Sequence, residues 1–88
     1  MRYISTRGEA APLDFVEVML AGLARDGGLY VPAAWPRFSA DDLRALRGLG
    51  YAELAHRVIR PFVGDAMDEA ELARLLDGTY ARFAHRAV

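Results

Sequence analysis

The residues best suited to bind a charged ligand lie near the start of the sequence, in the run Ser5-Thr6-Arg7-Gly8. Two hydroxyls, a guanidinium and a glycine at the end of a strand are groups that can bind phosphate. An anion site normally also needs backbone N–H donors that converge on the ligand. The alternative is that Thr6 and Arg7 satisfy backbone groups or dock against another part of the protein. Of the two, we expect docking.

The glycine pair Gly27-Gly28 is a second candidate for phosphate binding. It lacks the spaced glycines and the following helix of dinucleotide-binding and P-loop motifs. Glycine commonly ends a helix by adopting a left-handed backbone conformation. We therefore predict a helix C-cap and a turn at this position.

Other groups that could do chemistry do not form a recognisable site. His56 and His85 are far apart in the sequence, and there is no Cys to complete a zinc site. Four acidic residues lack the ligand spacing of a calcium loop and are better explained by helix capping: Asp65, Asp68, Glu69 and Glu71. Ser5 and Ser39 have no His at a spacing typical of a hydrolytic triad. The sequence therefore predicts no metal site and no catalytic residue.

The composition excludes several classes of function. All eleven cationic side chains are Arg, so the chain has no Lys with which to hold a cofactor as a Schiff base. The net charge of −1 argues against a nucleic-acid partner, which normally requires a basic face. No apolar run approaches the roughly 20 residues that cross a bilayer. The N-terminus has no apolar signal region, and we expect a cytoplasmic location.

Capping signals divide the 88 residues into helices. The first helix should begin at Asp14, with Glu17 as the reciprocal partner of a capping box. Four apolar residues behind Asp14 have helical spacing and share one face: Val16, Met19, Leu20 and Leu23. Gly27-Gly28 is expected to end this helix.

The remaining helices follow the same logic. Ser39 and Asp42 should cap a short second helix that Gly48 closes. The third helix should start near Tyr51, bend or stop at Pro61, and end at Gly64. Its buried face is predicted to contain Tyr51, Leu54, Ala55, Val58 and Phe62.

The fourth helix should begin at Asp68, with Glu71 completing a capping box. Gly78 falls inside it and weakens it. Its predicted inner stripe contains Leu72, Leu75, Leu76, Tyr80 and Phe83.

Two short segments have the residue types of strands. Arg2–Ser5 and Leu29–Val31 contain β-branched and aromatic residues, and neither can form a sheet alone. We predict that they pair with each other. The expected fold is a single α+β, mainly α domain over residues 1–88, with about four short helices and a minimal two-stranded sheet.

Five segments, in order along the chain, resemble the start of threonine synthases. They are Tyr3–Gly8, Ala21–Ala24, Asp26–Pro32, Trp35-Pro36 and Arg60–Asp65. The resemblance covers the whole chain from its first residue. It identifies the sequence as similar to the N-terminal domain of these enzymes.

The resemblance implies a function for a longer parent protein. Threonine synthases are fold type II pyridoxal-phosphate enzymes that convert O-phospho-L-homoserine and water to L-threonine and phosphate. In the family, the cofactor lysine follows the N-terminal domain in a segment of the type HGPTxxFKD, which these residues lack. We therefore expect a truncated chain that is inactive alone and whose partner is the missing catalytic domain.

The same resemblance gives a role to the candidate surface residues. Ser5, Thr6, Arg7 and Tyr30 are expected to face the catalytic domain or the substrate side. The apolar stretch that contains Tyr30, Val31, Trp35 and Phe38 should be core, unless part of it is exposed and covered by that domain.

Two alternatives stay open. A threonine-synthase-like phospho-lyase would share this N-terminal domain, and the residues that distinguish it would lie outside these 88. A free-standing helical interaction module would instead have a self-contained surface.

Overall fold

The computed structural model describes residues 1–83 of the chain. The strands are β1 (Tyr3–Ser5) and β2 (Tyr30–Pro32), and the helices are α1 (Phe15–Ala21), α2 (Ala40–Ala45), α3 (Tyr51–Val63) and α4 (Glu69–Ala81). A short 3₁₀ helix, Gly64–Ala66, follows α3. The predicted α+β, mainly α fold is therefore confirmed.

The chain forms two compact units. The first contains Met1–Pro36 and Phe62–Ala66, and the second contains Arg37–Pro61 and the chain from Met67 onward. The first unit thus combines two separate stretches of sequence, and α3 contributes residues to both units.

The first unit contains the sheet. β1 and β2 are antiparallel, with Tyr3 opposite Pro32, Ile4 opposite Val31 and Ser5 opposite Tyr30. The predicted pairing is confirmed, but both strands lie one residue later than their predicted starts. Pro32 lies inside β2 as its last residue, where the following N–H, that of Ala33, donates to Arg2 O at 2.8 Å.

Helix α1 begins as predicted and ends earlier than predicted. Asp14 and Glu17 form the capping box, with Glu17 N 2.9 Å from Asp14 Oδ1. The helix ends at Gly22, whose positive φ of 72° is a value that glycine adopts readily and other residues rarely do. The predicted helix C-cap at Gly27-Gly28 is therefore wrong, because Gly22 already ends the helix after seven residues.

The core of the first unit is small. Tyr3, Ala24 and Val63 are buried. The Tyr3 ring lies 6.3 Å from the Phe15 ring, and its hydroxyl donates to the Phe62 carbonyl. Burial of this phenol raises its pKa.

In the second unit, the caps of α2 and α4 differ. Ser39 and Asp42 form the predicted capping box of α2. Asp68 occupies the N-cap position of α4, but its side chain makes no capping hydrogen bond, so the predicted capping box with Glu71 is wrong. Asp68 has a ψ of 143°, whereas the two capping residues that do bond have ψ near 180°.

Helix α3 continues through Pro61 to Val63, and Gly64 follows with a φ of 61°. The predicted end at Gly64 is confirmed. Of the predicted α4 stripe, Leu72 and Leu76 are buried, whereas Leu75 and Phe83 are exposed. The Tyr80 ring packs edge-on against the Tyr51 ring, with 4.7 Å between centroids.

Candidate functional site

The candidate site is a cluster of hydrogen bonds around the carboxylate of Asp26. Ser5 Oγ lies 2.8 Å from Asp26 Oδ1 and 2.7 Å from Oδ2. Backbone N–H groups of Glu9, Ala10 and Gly28 donate to the same carboxylate at 2.9, 3.1 and 2.9 Å. One side chain therefore holds together the end of β1, the loop that follows it and the turn before β2.

A tight turn places Asp26 at the centre of this cluster. Gly27 N donates to Ala24 O, and Ala24 N donates to Gly28 O, each at 2.9 Å. Gly27 has a φ of 84°, which L-residues rarely adopt. A Cβ on Gly28 would lie 2.6 Å from Ser5 Oγ and 2.9 Å from Thr6 Oγ1. Both glycines are therefore required by the cluster, one for its backbone conformation and one for the close approach.

Arg7 is fixed against the same turn. Its backbone N–H donates to Ser5 Oγ at 3.2 Å, and its Nη1 donates to Asp26 O at 2.8 Å. The guanidinium passes over Gly27, where a Cβ would lie 2.6 Å from Nη1. Arg7 is nevertheless exposed. The turn thus holds a cationic group at the surface in one orientation.

Thr6 extends the pairing between the two strand segments. Its N–H donates to Leu29 O at 2.8 Å, and its Oγ1 accepts from Leu29 N at 3.0 Å. Tyr30, the fourth residue of the predicted set, lies opposite Ser5 in the sheet and is half-buried. The structure therefore brings all four predicted residues to one end of the sheet.

The electrostatics of the cluster centre on Asp26. The hydrogen bonds from Gly28 N–H and the Ser5 hydroxyl, followed by those from Glu9 and Ala10, lower the pKa of this carboxyl. The carboxylate is therefore ionised at neutral pH. The carboxylate already accepts hydrogen bonds from the Ser5 hydroxyl and from the converging backbone N–H groups. These donors are therefore not free to bind an external anion. The Arg7 guanidinium is the exposed cationic group of the cluster.

Asp26 lies outside the set of site residues predicted from the sequence. A weak signal was present, because Asp before a turn glycine commonly bonds to backbone N–H groups two residues on. Its partners at Ser5, Glu9 and Ala10 are distant in sequence, and no local pattern indicates them.

The remaining candidate groups do not converge in the part of the chain that the structure describes. Within residues 1–83, no three His, Asp or Glu side chains are placed to hold a metal ion. His56 Nε2 lies 3.3 Å from Glu69 O, and His85 lies outside the described residues. None of the described helices is long and apolar enough to cross a membrane.

Part of the apolar stretch around β2 is exposed. Tyr30 and Val31 are half-buried, Pro32 is buried, and Trp35 is 67% exposed. The Trp35 ring contacts only one aromatic partner among the described residues, the edge of Phe62 at 6.4 Å between centroids. The expectation that this stretch is core therefore fails at Trp35 and at Phe38, which is 37% exposed, and holds only in part at Tyr30 and Val31.

The sequence matches a known protein family. The sequence model described as "Threonine synthase N terminus" matches residues 2–80. The threonine synthase of Pseudomonas aeruginosa is 54% identical over 88 residues, which is 100% of this chain and 19% of that protein. The rat protein called threonine synthase-like 2 is 38% identical over 89 residues, covering 100% of this chain and 18% of that protein.

A solved structure agrees in both fold and sequence. The PLP-bound threonine synthase of Brucella melitensis superposes with a TM-score of 0.95 and 49% identity, over 99% of this chain and 19% of that one. The chain thus spans about a fifth of the length of the relatives it matches. With a family match over residues 2–80, the chain belongs to the threonine synthase N-terminal domain family.

Proposed function

We propose that this chain is the N-terminal domain of a cytoplasmic threonine synthase, whose whole polypeptide converts O-phospho-L-homoserine and water to L-threonine and phosphate. The observation that carries the proposal is the 54% identity to a threonine synthase over the full 88 residues. The likeness to a PLP-bound threonine synthase supports pyridoxal phosphate as the parent's cofactor.

The residues of this chain do not fit a cofactor site. Pyridoxal phosphate serves as an electron sink and is held by a lysine amine, and the chain contains no Lys. We therefore assign no chemical step to these 88 residues. The proposed role of the domain is to support the catalytic part of the same polypeptide.

The Asp26 cluster indicates how the domain could contact the catalytic part of the polypeptide. The turn holds the Arg7 guanidinium at the surface through one hydrogen bond, to Asp26 O. A planar guanidinium held in one orientation is well suited to a bidentate contact with a carboxylate. We propose that Arg7 docks against the remainder of the polypeptide, with Ser5, Thr6 and Tyr30 fixing the strand end that carries it.

The alternative function is a threonine-synthase-like phospho-lyase that releases phosphate from a different amino-alcohol phosphate. The 38% identity to threonine synthase-like 2 supports it less strongly than the 54% identity supports threonine synthase. A stand-alone interaction module has no comparable support, because the family match extends over residues 2–80.

The deciding experiment is growth complementation of a threonine-auxotrophic bacterium with the full-length open reading frame that encodes this domain. Rescue that is lost when the cofactor lysine is replaced supports threonine synthase. Failure to rescue, with soluble protein and bound cofactor, would favour the phospho-lyase. The 88-residue chain alone should neither rescue growth nor retain pyridoxal phosphate after desalting.

The role of Arg7 is tested in the same full-length protein. Arg7→Gln should make the protein more sensitive to limited proteolysis, whereas Arg74→Gln, at an exposed position of α4, should not. A raised KM for the phosphorylated substrate with unchanged protease sensitivity would instead indicate that Arg7 contacts the substrate.

A further inference from the structure

Helix α1 presents a row of large apolar side chains to solvent. Val16, Met19 and Leu20 are 40, 62 and 78% exposed, and Leu23, just beyond the Gly22 cap, is 66% exposed. Residues three and four apart are neighbours on a helix surface. We call these four residues the α1 apolar face. It was predicted as one face of the first helix, and the structure confirms the helical spacing of Val16, Met19 and Leu20 but leaves the face uncovered.

The α1 apolar face is distinct from the side of α1 that packs within the first unit. Phe15 and Val18 are half-buried, and the Phe15 ring packs near Tyr3. None of the seven residues of α1 is buried in the structure of residues 1–83. A helix with apolar residues on both sides normally has something packed on each side. Clustered, exposed Met and Leu residues mark a binding surface.

The size of the α1 apolar face indicates what kind of partner covers it. Four side chains at these exposures offer a few hundred Å² of apolar surface. A stable complex between separate chains needs roughly 800 Å² per partner. The four side chains alone fall short of that area, which favours a partner on the same polypeptide, because such a partner meets the surface at a high effective concentration.

We propose that the α1 apolar face is the surface on which the remainder of the threonine synthase polypeptide packs, through a complementary apolar patch. The inference rests on the proposed function. The matched relatives join this domain to a remainder about four times its length, since the chain covers 19% of them. A covalently attached domain is therefore available as the occupant.

Oxidation of Met19 in the full-length protein tests this directly. Hydrogen peroxide converts an accessible Met to the sulfoxide, and the rate at each Met is measured by peptide mass spectrometry. If the face is covered, Met19 should oxidise roughly tenfold or more slowly in the native than in the urea-denatured full-length protein. A native rate within about twofold of the denatured rate would overturn the proposal.

The oligomeric state separates the two possible occupants. Protection of Met19 that persists in the monomer, after dilution and sizing by light scattering, supports packing within one polypeptide. Protection that disappears on dilution would show that a second copy covers the face and would overturn the proposal.

A matched pair of variants gives a second measurement. Leu20→Ser should restore rapid oxidation of Met19 in the full-length protein, whereas Leu43→Ser, at an exposed position of α2, should not. Equal effects of the two variants would contradict the assignment. If Leu20→Ser fails to fold, the rate of Met19 oxidation in the wild-type protein still tests whether the α1 apolar face is covered.

Failure of this inference is distinguishable from failure of the proposed function. Growth rescue together with an unprotected Met19 would overturn the docking surface alone. No rescue together with a protected Met19 would overturn threonine synthase activity alone.

Discussion

Ser5 Oγ lies within hydrogen-bond distance of both carboxylate oxygens of Asp26, 2.8 Å from Oδ1 and 2.7 Å from Oδ2, across 21 residues of sequence. Ser5 is buried in the structure, and its oxygen also accepts the N–H of Arg7. The hydroxyl therefore links a strand end to a turn, and the acidity of the turn residue depends on it.

Replacing Ser5 with Ala should destabilise the chain. The change leaves the N–H of Arg7 without its acceptor and removes the only side-chain donor to the Asp26 carboxylate among the described residues, which keeps the N–H groups of Glu9, Ala10 and Gly28. The expected cost is about 1–2 kcal/mol of unfolding free energy. Urea denaturation followed by circular dichroism measures the difference. The control is Thr79→Ala, which removes a hydroxyl bonded within α4 to Leu75 O and should be neutral or slightly stabilising. Equal losses in the two variants would contradict a special role for Ser5.

Gly27→Ala and Gly78→Ala should change stability in opposite directions. Ala at Gly27 must adopt a φ of 84° and displace the Arg7 guanidinium, at a cost of about 1–3 kcal/mol. Gly78 lies inside α4 with open space around it, so Ala there should stabilise the helix by about 0.5–1 kcal/mol. Thermal unfolding of both variants checks the signs, and a tolerated Ala at Gly27 would show that the turn relaxes.

Asp14 and Asp68 should differ in their contributions to helix stability. Asp14 accepts the N–H of Glu17, so Asp14→Ala should cost about 1 kcal/mol. Asp68 makes no such bond, and Asp68→Ala should cost less than half as much, roughly the helix-dipole contribution alone. Paired chemical denaturation curves measure this difference, and an equal loss at Asp68 would indicate a side-chain cap in solution.

The chain should lose stability in acid partly through Asp26. Its folded pKa lies below the ordinary value of about 3.9, so the unfolded chain binds more protons in that range. The stabilisation is therefore complete above about pH 5 and is lost as the pH falls through the lower folded pKa. Unfolding midpoints in urea between pH 7 and pH 2 should decline more steeply for the wild type than for Asp26→Asn.

Asp42 contributes to the same acid dependence. The Ser39 backbone N–H, followed by the Ser39 hydroxyl, lowers the pKa of Asp42. Combining Asp26→Asn with Asp42→Asn should flatten the pH profile further than either change alone. A double variant with the wild-type slope would show that these carboxylates do not govern the acid response.

Local features of the fold could be predicted from the sequence. The capping boxes at Asp14 and Ser39 join residues only three positions apart, so the spacing of residue types in the sequence was sufficient to predict them. The same spacing failed at Asp68, whose backbone ψ of 143° differs from the values at Asp14 and Ser39 and whose side chain makes no capping bond. The pairing of β1 with β2 could be predicted because the chain offers only two segments of strand composition.

Features that depend on distant partners could not be predicted. Periodicity correctly grouped Met19 with Leu20, but it cannot tell which side of a seven-residue helix faces the core. That choice depends on Phe15 meeting Tyr3, and on Val63 supplying core from much later in the chain. The role of Asp26 likewise depends on N–H groups at positions 9 and 10, which only the folded chain brings near.

The division of the first unit between Met1–Pro36 and Phe62–Ala66 has a consequence for synthesis on the ribosome. Tyr3 leaves the ribosome long before the Phe62 carbonyl that it bonds, and before Val63, which completes the core. The cost of closing that long loop must be met before these contacts can form. The nascent sheet of β1 and β2 therefore stays incompletely covered until α3 has been translated.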